Sequence, residues 1–174
     1  MRVIFLDIDG VLNKTGPEPG SVGVGTGGEQ PVRAVEEEKV RLLAGLAERT
    51  KAKIVLHSGW RFLLGEDLRP VHPEAARLVR LLDGRGLSLY GVTPDLTDEE
   101  IRRTKKFSRV KAREILLWLA RHEDETEKIS WIVLDDLELG NERVAARQIR
   151  TDGRRGLTEA DVEAAVRLLC ADGL

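Results

Sequence analysis

The sequence has one cysteine, almost no net charge and no long apolar run, and each shortage removes a class of protein. Cys170 has no partner with which to form an internal disulfide, which fits a reducing compartment. Lys and Arg number 28 against 30 Asp and Glu, a formal net charge of -2, so the whole molecule does not attract polyanions and any nucleic-acid contact has to be local. No apolar stretch approaches the roughly 20 residues that cross a bilayer. The first residues run straight into an apolar segment without the basic and apolar regions of a leader, so we expect a cytoplasmic protein that engages no membrane. There is no internal repeat, and oligomeric state has no signal in the sequence.

What is present is 174 residues, 41% hydrophobic and 33% charged, enough for one domain over 1–174 with a central sheet covered on both faces. A first strand starts at Val3, and further apolar segments at 53–57, 87–92, 130–134 and 148–150 read as strands. Helical spacing joins Val32, Val35, Leu42, Leu43 and Leu46, and helices are expected over 74–82 and 108–121. A last helix starts at Thr158, where Thr158 and Asp161 form a capping-box pattern ahead of Val162, Val166 and Leu169. Alternating strands and helices predict an α/β fold, a Rossmann-like parallel sheet sandwiched by helices. Between about 14 and 30 the chain carries Gly16, Gly20, Gly23, Gly25, Gly27 and Gly28 with Pro17 and Pro19, which predicts a mobile loop serving as a flap over a site.

The most informative residues end the first strand: Asp7-Ile8-Asp9-Gly10-Val11-Leu12-Asn13. A strand that stops in Asp-x-Asp-Gly brings two acids to the carboxyl edge of the sheet, where open α/β folds hold ligands. Gly10 permits a turn that lets both acids face one ligand. Clustered carboxylates either share a proton or hold a cation, and magnesium with a phosphate is the natural occupant. Ser58 follows the second strand and Asp135-Asp136 the fourth, all at the same edge if the sheet is parallel. The one long basic stretch, 102–113, leads into the helix after the third strand. There Lys111 shares a face with Ile115, Trp118 and Leu119 and is the first choice for a phosphate-binding cation, with Arg113 second.

In this order the motifs resemble those of the haloacid dehalogenase (HAD) superfamily of aspartyl phosphatases, across essentially the whole chain. Asp9-Gly10-Val11-Leu12-Asn13, the Ser-x-Trp-Arg of Ser58 to Arg61, Glu114-Ile115 with Trp118-Leu119, and Gly156-Leu157-Thr158 are similar to the small branch associated with Swiss Army Knife RNA repair proteins. The resemblance implies a HAD-like fold without a large cap domain and a magnesium-dependent phosphomonoesterase. Asp7 would be the nucleophile and Asp9 the general acid and base, with Ser58 and Lys111 on the transferring oxygens. Metal would sit on Asp7, Asp9, Asp135 and Asp136, through the backbone carbonyl in the case of Asp9. Gly10, Gly59, Trp60, Arg61 and Arg113 are assigned to substrate binding, and an open site beside a basic run, with Phe107 and Trp60 to stack a base, points to RNA or DNA ends. Nucleotides and other small phosphate esters are the alternative substrates. A receiver-like phospho-acceptor domain and a non-catalytic HAD-fold binding module are the alternative functions. The first places its acceptor on a later strand, and the second has no need of all four motifs.

Overall fold

The computed structural model describes residues 1–16, 34–123 and 128–171. Five strands are all parallel: β1 (Arg2–Leu6), β2 (Lys53–Leu56), β3 (Leu89–Val92), β4 (Ser130–Asp135) and β5 (Gln148–Arg150), in the order β3-β2-β1-β4-β5. Register pairs Leu6 with both Leu56 and Leu134, so the ends of β1, β2 and β4 finish level.

Strand alternation divides the core in two. Ile4, Leu6, Ile54, Leu56, Ile132 and Leu134 face α1 (Glu37–Thr50), α2 (Pro73–Asp83) and α6 (Glu159–Cys170). Val3, Phe5, Val55, Trp131 and Val133 face α4 (Phe107–His122), with a contribution from the short α5 (Glu142–Ala145). On that second face the Phe5 ring meets Trp118 and Trp131 edge-on, with centroids 5.3 Å and 6.0 Å apart. Burying such side chains contributes about 1.5–3 kcal/mol each, which fixes α4 across the sheet.

Several boundaries differ by a residue or two from the sequence expectation, and α3 (Glu99–Thr104) was not expected at all. Asp98 caps it through Ile101 N, and Lys105 ends it in the left-handed region, splitting the basic stretch into two helices. Helix α1 begins at Glu37, so Val35 precedes it, while Val32 and most of the glycine-rich segment, with its expected mobility and flap role, lie outside the described residues. Thr158 and Asp161 do form the capping box of α6. Among the described residues no helix is long and apolar enough to cross a membrane. Between β3 and α4 there is only α3, so no cap domain is inserted there.

The connections leave β1 and β4 in opposite directions across the sheet: β1 leads through α1 to β2, β4 through α5 to β5 on the other side. Adjacent strands whose connections diverge open a crevice at their carboxyl ends, and ligands of open α/β sheets settle there.

Candidate active site

That crevice is where the acids converge. Asp7 follows β1 and Asp135 ends β4, their positions fixed by the bond from Asp7 N to the Leu134 carbonyl at 2.9 Å. Asp7, Asp135 and Asp136 bring one carboxylate oxygen each to within 4.8 Å of one another. Lys111 reaches in from the first turns of α4, its Nζ donating to Asp7 Oδ2 at 2.9 Å and Asp135 Oδ2 at 2.5 Å. Remaining carboxylate oxygens take backbone amides: Ile8 N on Asp7 Oδ1 and Leu137 N on Asp135 Oδ1.

One ammonium does not balance three acids. Burial raises the Asp7 pKa and Asp135 adds to the rise, while Lys111 and the Ser58 hydroxyl pull the other way without cancelling it. Asp136 is raised by burial and by Asp7 and Asp135. Burial by itself would lower Lys111, but Asp7 and Asp135 outweigh it and hold the amine above its ordinary value, so it stays charged. An all-oxygen set with surplus negative charge, its members bound by backbone amides, one lysine and, at Asp136, the Thr15 hydroxyl, fits a hard divalent cation such as magnesium. His57 lies beneath, fully buried, with one ring nitrogen 3.5 Å from Asp135 Oδ2. Burial and Lys111 hold its pKa well below the usual histidine range, so the imidazole is neutral and the approach is not an ion pair.

Asp9 is treated differently. It is exposed, and its carboxylate accepts from Trp60 Nε1 at 3.1 Å and Asn13 Nδ2 at 2.8 Å. Asn13 closes the turn by accepting from Gly10 N at 3.0 Å. The Asp9 side chain is therefore held by Trp60 and Asn13, outside the three-acid cluster, in keeping with a metal role expected of its backbone carbonyl and not of its carboxylate. Gly10 also differs from expectation: it is buried, with φ of +77°, and a Cβ there would collide with the Asp136 carboxylate. Its backbone is spent on Asn13 and on Thr151, whose hydroxyl donates to the Gly10 carbonyl at 2.7 Å, so it admits Asp136 rather than substrate.

Two more assignments change. Trp60 is 4% exposed, its face packed in the core, and cannot stack a base. Arg61 is clamped by Glu114, with both terminal nitrogens 2.9 Å from the carboxylate oxygens, and it also donates to Thr93. Its place at the cleft wall is structural. Arg113 is exposed and does not line the cleft, so of the two cations only Lys111 joins the acids. Ser58 accepts from Trp60 N at a long 3.4 Å, and it lines the cleft with Gly59.

The cleft, about 280 Å³, is lined by Asp7, Asp9, Ser58, Lys111 and Asp136 and by the apolar side chains of Phe62, Phe107, Val110 and Leu137. Sequence reading missed Phe62 and the clamping role of Glu114. A Glu among the apolar positions of α4 was the available signal, since a buried acid requires a partner.

A family model described as "HAD domain in Swiss Army Knife RNA repair proteins" matches residues 3–162. No curated protein and no solved structure gives a significant match.

Proposed function

The chain belongs to the family of HAD domains in Swiss Army Knife RNA repair proteins, and from that membership and the geometry above we propose that it is a magnesium-dependent phosphomonoesterase acting through an aspartyl-phosphate. The observation that carries the reading is the division of labour among the acids. Asp7 is buried against Lys111, while Asp9 stands at the mouth on Trp60 and Asn13.

In the proposed reaction an Asp7 carboxylate oxygen attacks phosphorus, and the bond from phosphorus to the ester oxygen breaks as the new one forms. Asp9 delivers its proton to the departing oxygen, releasing an alcohol. Water then attacks the phosphorus of the aspartyl-phosphate while Asp9 takes its proton, which restores the Asp7 carboxylate and frees inorganic phosphate. Lys111 and Ser58 hold the transferring oxygens, and charge neutralisation and positioning supply most of the rate. Magnesium, held by Asp7, Asp135 or Asp136 and the Asp9 carbonyl, would offset the charge gathered on the phosphoryl group. RNA or DNA ends are the proposed substrates, since the family's description names RNA repair and exposed Arg103, Lys105, Lys106 and Arg109 stand beside the start of α4.

The test is release of phosphate from oligonucleotide ends, nucleotides and sugar phosphates in magnesium. Asp7→Asn should lose on the order of 10⁴-fold or more, as removal of a covalent nucleophile does, and Asp9→Asn roughly 10²–10⁴-fold. Full activity of Asp7→Asn, or of wild type after exhaustive chelation, overturns the mechanism.

A further inference from the structure

Five residues after β2, Gly59–Leu63, form a 3₁₀ helix, in which residues three apart stand on one face. That period sorts the segment. Trp60 and Leu63 turn to the core, and Gly59 and Phe62 turn to the cleft. A Cβ on Gly59 would meet nothing within 4 Å, so there is open space at that position of the wall. Phe62 is 52% exposed and lines the cleft. Two guanidiniums lie over its ring, Arg61 at 5.0 Å and Arg102 at 5.8 Å from the centroid. Neither is loose: Arg61 is held bidentate by Glu114, and Arg102 donates to Asp95 at 2.9 Å. Phe107 and Leu137, the latter 38% exposed, also line the cleft.

We infer that the Phe62 wall, with Phe107 and Leu137, is a subsite for the base of the nucleotide that carries the phosphate, and that Phe62 sets the preference for a base-bearing leaving group. The occupant follows from shape and charge together. A cleft of about 280 Å³ is at the small end of the roughly 300–1,000 Å³ usual for ligand sites, so one terminal unit enters and not a segment of strand. Its lining offers a lysine and a hydroxyl to a phosphate, and beside them an aromatic ring next to two cations, the kind of surface on which any base stacks regardless of sequence. The inference rests on the phosphatase reading for what happens at the acidic end, but the wall can be tested without turnover.

Short oligonucleotides whose phosphorylated end carries either adenine or an abasic sugar, at the 3′ or the 5′ end, separate the two ideas. In wild type with magnesium, kcat/KM should favour the adenine end on the order of 10-fold. Phe62→Ala should bring that ratio close to one, Phe62→Trp should keep it, and Gly59→Leu, which fills the open space at that position, should lower it. The same pair is titrated against Asp7→Asn, where binding should show the same preference in the absence of chemistry. Hydrolysis with equal ratios in wild type and Phe62→Ala overturns the subsite and leaves the phosphatase reading standing. Base-dependent binding to Asp7→Asn without hydrolysis by wild type does the reverse. Equal binding of both ends overturns the subsite whatever the activity.

Discussion

Two charge clusters contribute to the lining of one cleft, and they are built on opposite terms. At the ends of β1 and β4, Asp7, Asp135 and Asp136 share a single Lys111, and burial with mutual repulsion raises the pKa of Asp7 and Asp136. In the other cluster, Arg61 and Glu114 meet in a two-bond pair, Glu114 also accepts from Leu96 N, and Asp95 takes Arg61 and Arg102. The second cluster pairs its charges and holds the loop after β3 against α4. The first keeps negative charge in surplus, a condition that costs stability and invites a cation. Charge imbalance, more than burial, separates the site from its frame.

The largest effect should come from breaking the balanced cluster. Glu114 is fully buried and the Arg61 side chain 8% exposed, so Glu114→Ala removes the bidentate partner of a largely buried guanidinium and leaves it only Thr93 and the longer contact to Asp95. Removing one partner of such a pair costs about 3–5 kcal/mol, whereas replacing both by apolar residues of similar size is often neutral. Urea unfolding should show that loss for Glu114→Ala and its partial recovery in Arg61→Leu/Glu114→Leu. A loss under about 1 kcal/mol for Glu114→Ala would mean the clamp is not a frame.

A smaller effect, of opposite sign in the two clusters, lies in pH. The raised carboxyls of Asp7 and Asp136 contribute stability that is full below the ordinary carboxylate pKa, about 4, and is lost as pH climbs through their raised values. Burial opposes ionisation of Asp95, but bonds from Thr97 and the charges of Arg61 and Arg102 prevail and lower its pKa, so its contribution is present above the ordinary value and lost as pH falls. In chelator, Asp136→Asn should lessen the fall of the urea midpoint between about pH 5 and 7.5, and Asp95→Asn should lessen its fall on acidification below about pH 4. Added magnesium should raise the wild-type midpoint at about pH 7.5 and do less for Asp136→Asn. The same pH slope in wild type and Asp136→Asn would remove the contrast between the clusters.

The sequence made the parallel sheet and its carboxyl-edge acids legible because both depend on local pattern: apolar strands, Asp-x-Asp-Gly, Asp-Asp. Lys111 was legible for the same reason, since helical period alone puts it above Ile115 and Trp118. The tasks of Gly10, Trp60 and Arg61 were not, because each is decided by a residue distant in sequence: Asp136 against Gly10, Asp9 on the Trp60 ring nitrogen, Glu114 on Arg61. Phe62 was hidden by its neighbours. In Trp60-Arg61-Phe62 the residue suited to stacking by size turns inward, and only the 3₁₀ period tells which ring faces the cleft.

The smallest effect should come from charges that belong to neither cluster. Within the basic stretch Arg102 is already engaged by Asp95 and Phe62, so its removal disturbs the frame and the base wall together. Arg103, Lys105 and Lys106 are exposed, Arg103 in the last turn of α3 and the two lysines in the turn between α3 and the cleft-lining Phe107. If they meet the phosphates of a strand outside the cleft, replacing all three by Gln should raise KM for a phosphorylated oligonucleotide several-fold. It should also flatten the salt dependence by about one unit of slope for each phosphate that the variant no longer neutralises. Turnover of ribose 5-phosphate, too short to leave the cleft, should stay as it is, and urea stability should not change. Equal reductions on both substrates would place these residues in the frame, and an unchanged salt slope would confine recognition to the cleft itself.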